Sequence, residues 1–269
     1  MKYLFPLLIC IWLILPFQMI AQSRWELGVF GGISNYMGDL APDPVLSESH
    51  PAVGIALKRN SNPYFSYTLN LNYGTISGND SNSKTLAPRG LKFESNIIEL
   101  STQIEFNLFK FGTIDVFQAK RFSPYVFTGL SFFHFDPTVT YNGKLYHLQL
   151  ETTEGQGIVK GAPGEYKLNQ FSIPIGGGLK FNLSQRFNLL VLAGYRATFT
   201  SYLDDVGGLY PDKAQLVSSK GGDLSAYFSD PTHVGVTGGQ RGNPDKLDWY
   251  MFYGITLSYI IPGPICPKF

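Results

Sequence analysis

Beyond its first 22 residues the chain has no run of about 20 apolar residues, which excludes a membrane-crossing helix from that part. Charge is scarce: Asp, Glu, Lys and Arg make up 15% of the chain, against roughly 25% in an ordinary soluble domain. The few cations form no stripe, so nothing points to nucleic acid. Cysteine is nearly missing, with Cys10 in the N-terminal apolar stretch and Cys266 close to the end, so no disulfide framework can staple the chain. No segment shows the apolar spacing of a helix.

The N-terminal stretch MKYLFPLLICIWLILPFQMIAQ has one positive charge, Lys2, then an apolar run and a small residue, Ala21. This layout predicts a secretory signal over residues 1–21. A retained anchor fits less well because Pro6 and Pro16 interrupt the run. A lipoprotein signal fits poorly because Ile9, before Cys10, is too large. Removing Lys2 leaves 20 basic against 20 acidic residues, a mature chain near neutrality.

What is abundant is aromatic residues, also 15%, and alternation. In FSYTLNLNYG, Phe65, Tyr67, Leu69, Leu71 and Tyr73 alternate with Ser, Thr, Asn and Gly, the period of a strand with one apolar face. Eight such segments are expected: 25–34, 52–60, 65–74, 98–108, 122–135, 170–182, 187–200 and 248–261. The fifth is apolar on both faces, and its expected register puts Tyr125, Phe127, Phe133 and Phe135 outward. Connections alternate between short ones near 60–63 and 183–186, with an intermediate one over 109–121, and long ones near 35–51, 75–97, 136–169 and 201–247. All long loops therefore emerge at one end, as on the outer side of an outer-membrane barrel.

Export, even strand number and one-sided loops predict an all-β fold, an eight-stranded antiparallel transmembrane β-barrel with short periplasmic turns and long outer loops. Its domains are the signal (1–21), the barrel (22–261) and a periplasmic tail (262–269). Its location is the outer membrane, with outer-membrane lipids around the apolar rows. A soluble lipocalin-like barrel, with the same rows pointing inward, is the alternative. It would leave Ser, Thr, Asn and Gly as a poor solvent surface.

An eight-stranded interior is filled by side chains, so no diffusion pore is expected. Glu26, Lys58, Glu99, Glu105, Lys180 and Arg196 fall on the inward face, where three acids and three bases should pair. A catalytic carboxylate pair or proton path is the other reading of this set. No nucleophile elbow, zinc-binding helix motif or phosphate loop occurs, so no catalytic residue, cofactor or metal is expected and the protein reads as non-enzymatic. Gly176-Gly177-Gly178 reads as strand curvature or close packing. Asp204, Asp205 and Arg241 form an outer-loop cluster, read as ion pairing, with partner recognition or a calcium site as the other options. Cys266 is either an idle thiol or an anchor to another chain.

Together, WELGVFGGISNYMGDL (25–40), YLDDVGGLY (202–210), RGNPDKLDWYMFYGITLSY (241–259) and the final CPKF resemble, in order along the chain, the PorG family. These are outer-membrane barrels of the type IX secretion system, with relatives of unknown function. The resemblance implies a non-enzymatic component that contacts a periplasmic lipoprotein and its ring subunits and supports export through a separate translocon. On that view the partner-binding residues are Lys110, Asp115, Lys120, Arg121 and Cys266, because periplasmic partners reach only that end. An adhesive or envelope-structural barrel acting through its outer loops, and a lipid-active enzyme, are the competing readings.

Overall fold

The computed structural model describes residues 24–112, 119–159, 161–218 and 222–262. The expected signal, Asp115 and the 263–269 part of the tail with Cys266 lie outside them.

The barrel strands are β1 (Arg24–Met37), β2 (Ser49–Asn60), β3 (Phe65–Asn79), β4 (Lys92–Asn107), β5 (Phe122–His134), β8 (Asn169–Asn182), β9 (Phe187–Thr198) and β10 (Trp249–Ile260). They pair antiparallel in the order β3-β2-β1-β10-β9-β8-β5-β4, and β3 pairs with β4 to close the ring. Between β5 and β8 a hairpin of β6 (Pro137–Tyr141) and β7 (Lys144–His147) extends the sheet from the upper end of β4. Closure is what a bilayer requires, since an open edge would leave backbone amides with no partner in hydrocarbon.

The 65–74 row faces out: Phe65, Leu69, Leu71 and Tyr73 are each more than 40% exposed, while Ser66, Thr68 and Asn72 between them are buried. The exterior continues in this way through Val29, Ile55, Leu100, Ile104, Ile175 and Leu257. Cross-strand aromatic pairs Phe65–Phe106, Phe122–Phe181 and Phe187–Tyr259, with centroids 5.1–5.5 Å apart, girdle the periplasmic end. An apolar band with such a girdle, around a polar lumen, is the surface of an outer-membrane barrel. Leu71→Arg is therefore expected to destabilise the barrel folded in lipid vesicles by about 2–4 kcal/mol. A lipocalin-like arrangement would instead place Leu71 in the core, but it is 46% exposed.

Two expectations are corrected. Tyr125, Phe127, Phe133 and Phe135 point inward and are at most 6% exposed; the lipid face of β5 is Phe122, Val126, Leu130 and Phe132. The lumen accepts these rings because glycines stand opposite. A Cβ on Gly176 would come within 2.5 Å of the Phe127 ring, and one on Gly194 within 2.8 Å. Met251 keeps to the outward row of β10 but is fully buried, with Tyr253 Oη donating to its Sδ (3.1 Å).

The second correction concerns the long loops, which are not structureless. β3 and β4 run past the membrane band to Asn79 and from Lys92, into residues expected to be loop. Here the polarity inverts: Ile76, Phe93 and Ile97 are buried inside, while Lys92 and Glu94 face out. With Tyr36, Leu40, Phe133, Phe135, Leu203, Phe228, Tyr250 and Phe252 they form an apolar core. The 201–247 loop contributes α1 (Lys213–Ser218) and α2 (Gly222–Ser229). The protein thus stacks a soluble-type apolar cap on a membrane-type polar lumen.

Candidate functional site

Alternation brings all six expected lumen charges inside, each at most 5% exposed. They do not pair one to one. Glu105 Oε2 accepts from both Lys180 Nζ (2.6 Å) and Lys58 Nζ (2.8 Å), while its Oε1 accepts from Thr68 (2.6 Å). Glu99 takes a two-pronged contact from Arg196 (2.9 and 3.2 Å) and further bonds from Tyr250 (2.8 Å) and Asn72 (3.0 Å). Glu26 is held instead by neutral donors, Asn60, Asn188 and Ser258, at 2.6–2.9 Å. The space left beside Lys58, Glu105 and Arg196 is about 40 Å³, room for a water or two and too small for a solute.

The periplasmic mouth is covered from below. Phe111 N–H donates to Pro63 O (3.0 Å) and its ring lies 5.9 Å from Lys180 Nζ, so residues 109–112 pass under the lumen. Lys120, bridged to Phe111, sits over the Phe109 ring at 4.4 Å. Lys110, Lys120 and Arg121 are exposed on this cover.

At the outer end the loops interlock through two arginines. Arg241 Nη1 donates to Glu154 (2.9 Å) and to the Asp205 main-chain oxygen (2.6 Å), its Nε donates to Ser229 O (3.1 Å), and its Nη2 lies 3.8 Å from the Asp205 carboxylate. Glu154 also accepts from Gly207, Gly208 and Tyr202 at 3.0–3.1 Å. Arg89 joins Asp80 (2.6 Å) to the main-chain oxygens of Arg241 (2.7 Å) and Asp39 (3.1 Å). Alternation could not reveal Glu154, Arg89 or Asp80, because none lies in a membrane-spanning row.

Asp204, expected to be an ion-pair partner, receives no cation. It accepts from Tyr36 (2.5 Å) and from Val206 N–H (2.9 Å), and it interacts electrostatically with Asp39 and Asp248. Among the described residues no acid or histidine cluster is arranged to hold a metal. Burial, and then the Asp39 charge, push Asp204 up to about 8; burial raises Asp205 to about 6 against the pull of Arg241; Asp248 rises for the same reason as Asp204.

A carboxyl with its folded pKa above the unfolded value keeps a proton that the unfolded chain has released, so stability falls as pH rises through that interval. For Asp204 the interval runs from the ordinary 3.8 to about 8. Asp230, held below its ordinary value against burial by Lys213 and two backbone amides, titrates outside this window. Cap stability, followed by tryptic cleavage of folded protein in detergent, is thus expected to decline steadily from about pH 5 to about pH 8. Asp204→Asn should flatten that decline and stabilise the cap at the alkaline end.

Three histidines carry ordinary side-chain bonds: His50 to Ser77 (2.8 Å), His134 to Asn169 (3.0 Å) and His147 to Asp136 (2.7 Å).

No curated protein sequence matches this chain. Among solved structures, the attachment invasion locus protein Ail of Yersinia pestis is similar at 9% identity, over 89% of this chain and 99% of Ail, with a TM-score of 0.42. Neisserial surface protein A is similar at 6% identity, over 87% and 96%, with a TM-score of 0.42. OprG of Pseudomonas aeruginosa is similar at 10% identity, over 90% and 98%, with a TM-score of 0.40. At TM-scores this low, none bears on what this chain does. The model of the family described as a domain of unknown function, DUF6089, matches residues 2–237, and the chain belongs to that family.

Proposed function

We propose that this outer-membrane barrel is a non-enzymatic component of the type IX protein secretion machinery, seated on the periplasmic lipoprotein ring through its short turns. The observation that carries this reading is a lumen closed along its whole length: paired charges fill the middle, Phe111 lies beneath and the cap lies above. A barrel of this kind does not conduct its cargo, so its work is done at its faces. The resemblance of residues 25–40, 202–210 and 241–259 to secretion-system barrels names the machinery. Affinity purification of the tagged protein from gently solubilised envelopes, with and without reductant, is the test. Recovery of the ring lipoprotein supports the reading; a solitary barrel overturns it. Loss of the ring on reduction would assign the link to Cys266.

A second reading, a stand-alone adhesive or envelope-structural barrel, is favoured by one feature of the cap. A cavity of about 80 Å³ opens between Tyr141, Tyr227, Phe228 and Leu40, with Asp204 and Arg241 in its wall. On this reading a cap deletion abolishes function and periplasmic substitutions are silent. Altered envelope lipid composition in a deletion strain would favour a lipid-active enzyme instead.

A further inference from the structure

We infer that the periplasmic face is a docking surface for an acidic patch on a ring subunit, an inference that rests on the secretion reading above. Arg59, Lys110, Lys120, Arg121 and Arg186 are all exposed at this end. No exposed Asp or Glu accompanies them among the described residues. The acids at this level, Glu26 and Glu105, are buried and occupied by lumen partners. Composition does not force this segregation, because the chain without residues 1–21 has 20 cations and 20 anions.

These cations have no anionic partner within the described chain. The Arg59 guanidinium lies 5.7 Å from the centre of the Trp25 ring, and Lys120 Nζ lies over Phe109. Aromatic contact holds the cationic heads in place and leaves their charge available to a partner. Like charges gathered on one face, without an exposed acid among the described residues, raise the local concentration of an anionic partner and penalise a basic one.

Arg59, beside Trp25 on the outward row, is at the bilayer edge, but the positions of Lys110 and Lys120 select among anions. Lys110 and Lys120 flank Phe111, whose ring reaches beneath the lumen, so they lie under the mouth and not beside the bilayer. Lipid headgroups surround a barrel; they do not extend under it. Phe109, 39% exposed among these cations, adds the mixture of ring and positive charge that protein interfaces favour.

A zero-length carbodiimide reagent tests this in envelopes carrying the full tagged chain. The reagent takes up the water lost as the Lys110 or Lys120 amine condenses with a partner carboxylate, leaving an amide. Four results are expected. Mass spectrometry finds Lys110 or Lys120 joined to Asp or Glu of a ring subunit. The triple variant Lys110→Glu, Lys120→Glu, Arg186→Glu loses ring recovery by about tenfold or more, and wild-type recovery falls between about 0.05 and 0.5 M salt. Lys110→Arg with Lys120→Arg keeps the ring and loses the cross-links. Heat-modifiable gel mobility checks that each variant is a folded barrel.

Equal ring recovery with wild type and triple variant, and no cross-link from either lysine, overturns the acidic-partner inference and leaves the secretion reading standing. No ring with wild type, even after a long amine-reactive cross-linker, overturns both. Cross-links to cell-wall peptide carboxylates in place of ring subunits overturn the protein partner.

Discussion

Replacing Glu105 by Gln is expected to destabilise the folded barrel by about 3–5 kcal/mol, the largest effect of any lumen substitution. One carboxylate oxygen holds two lysine ammonium groups, at 2.6 and 2.8 Å, and all three side chains are at most 6% exposed. A glutamine keeps the shape and the Thr68 bond but removes the charge. Two cations then share a narrow lumen, with room for a water or two, and no anion lies between them. Neither has an easy way out, since Lys180 is enclosed by Tyr125 at 4.5 Å and Phe111 at 5.9 Å. The measurement is equilibrium unfolding in detergent, read by tryptophan fluorescence. Adding Lys58→Met to Glu105→Gln should recover part of the loss, because one unpaired cation costs less than two. Unchanged stability in the single variant would mean that the lumen network contributes nothing.

Arg241→Met is expected to release the outer cap while leaving the barrel closed. The side chain fills one site in the cap but answers several carbonyls and carboxylates from different loops. Its loss leaves Glu154 and Asp205 facing each other without a cation, and strips donors from the main-chain oxygens of Asp205 and Ser229. Removing one partner of a buried pair costs about 3–5 kcal/mol, which is large for a cap of loops and short helices. Limited proteolysis should show new cleavage within 201–248, while heat-modifiable gel mobility stays that of a closed barrel. Loss of mobility as well would mean that cap and barrel fold as one unit. Lys at this position should restore little, because a single ammonium cannot reach the Ser229 oxygen and Glu154 in the same geometry.

The barrel was legible because its physics is local. Strand period, the lipid-facing row from Phe65 to Tyr73 and the inward places of Glu99, Glu105, Lys180 and Arg196 all follow from pleating and a hydrocarbon surround. Such a surround imposes one rule, apolar out, over every residue it touches. Above the bilayer that rule lapses. Ile76, Phe93 and Ile97 turn inward because water surrounds the cap, and the strands carrying them were hidden in what alternation reads as loop.

The β5 register failed for a related reason. Phe127 and Phe132 are equally apolar, and only the space left by Gly176 and Gly194 on facing strands puts Phe127 inside. Partner choice was illegible too: Arg241 meets Glu154 across 87 residues of chain, and nothing local favours Glu154 over Asp204. The sequence by itself determined strand number, the lipid face and a charge-balanced lumen, since each depends on a residue and its near neighbours. Only the tertiary structure decided the cap core, the sealing of the mouth by Phe111 and the partners of Arg241, because these depend on which distant segments closure of the barrel brings together.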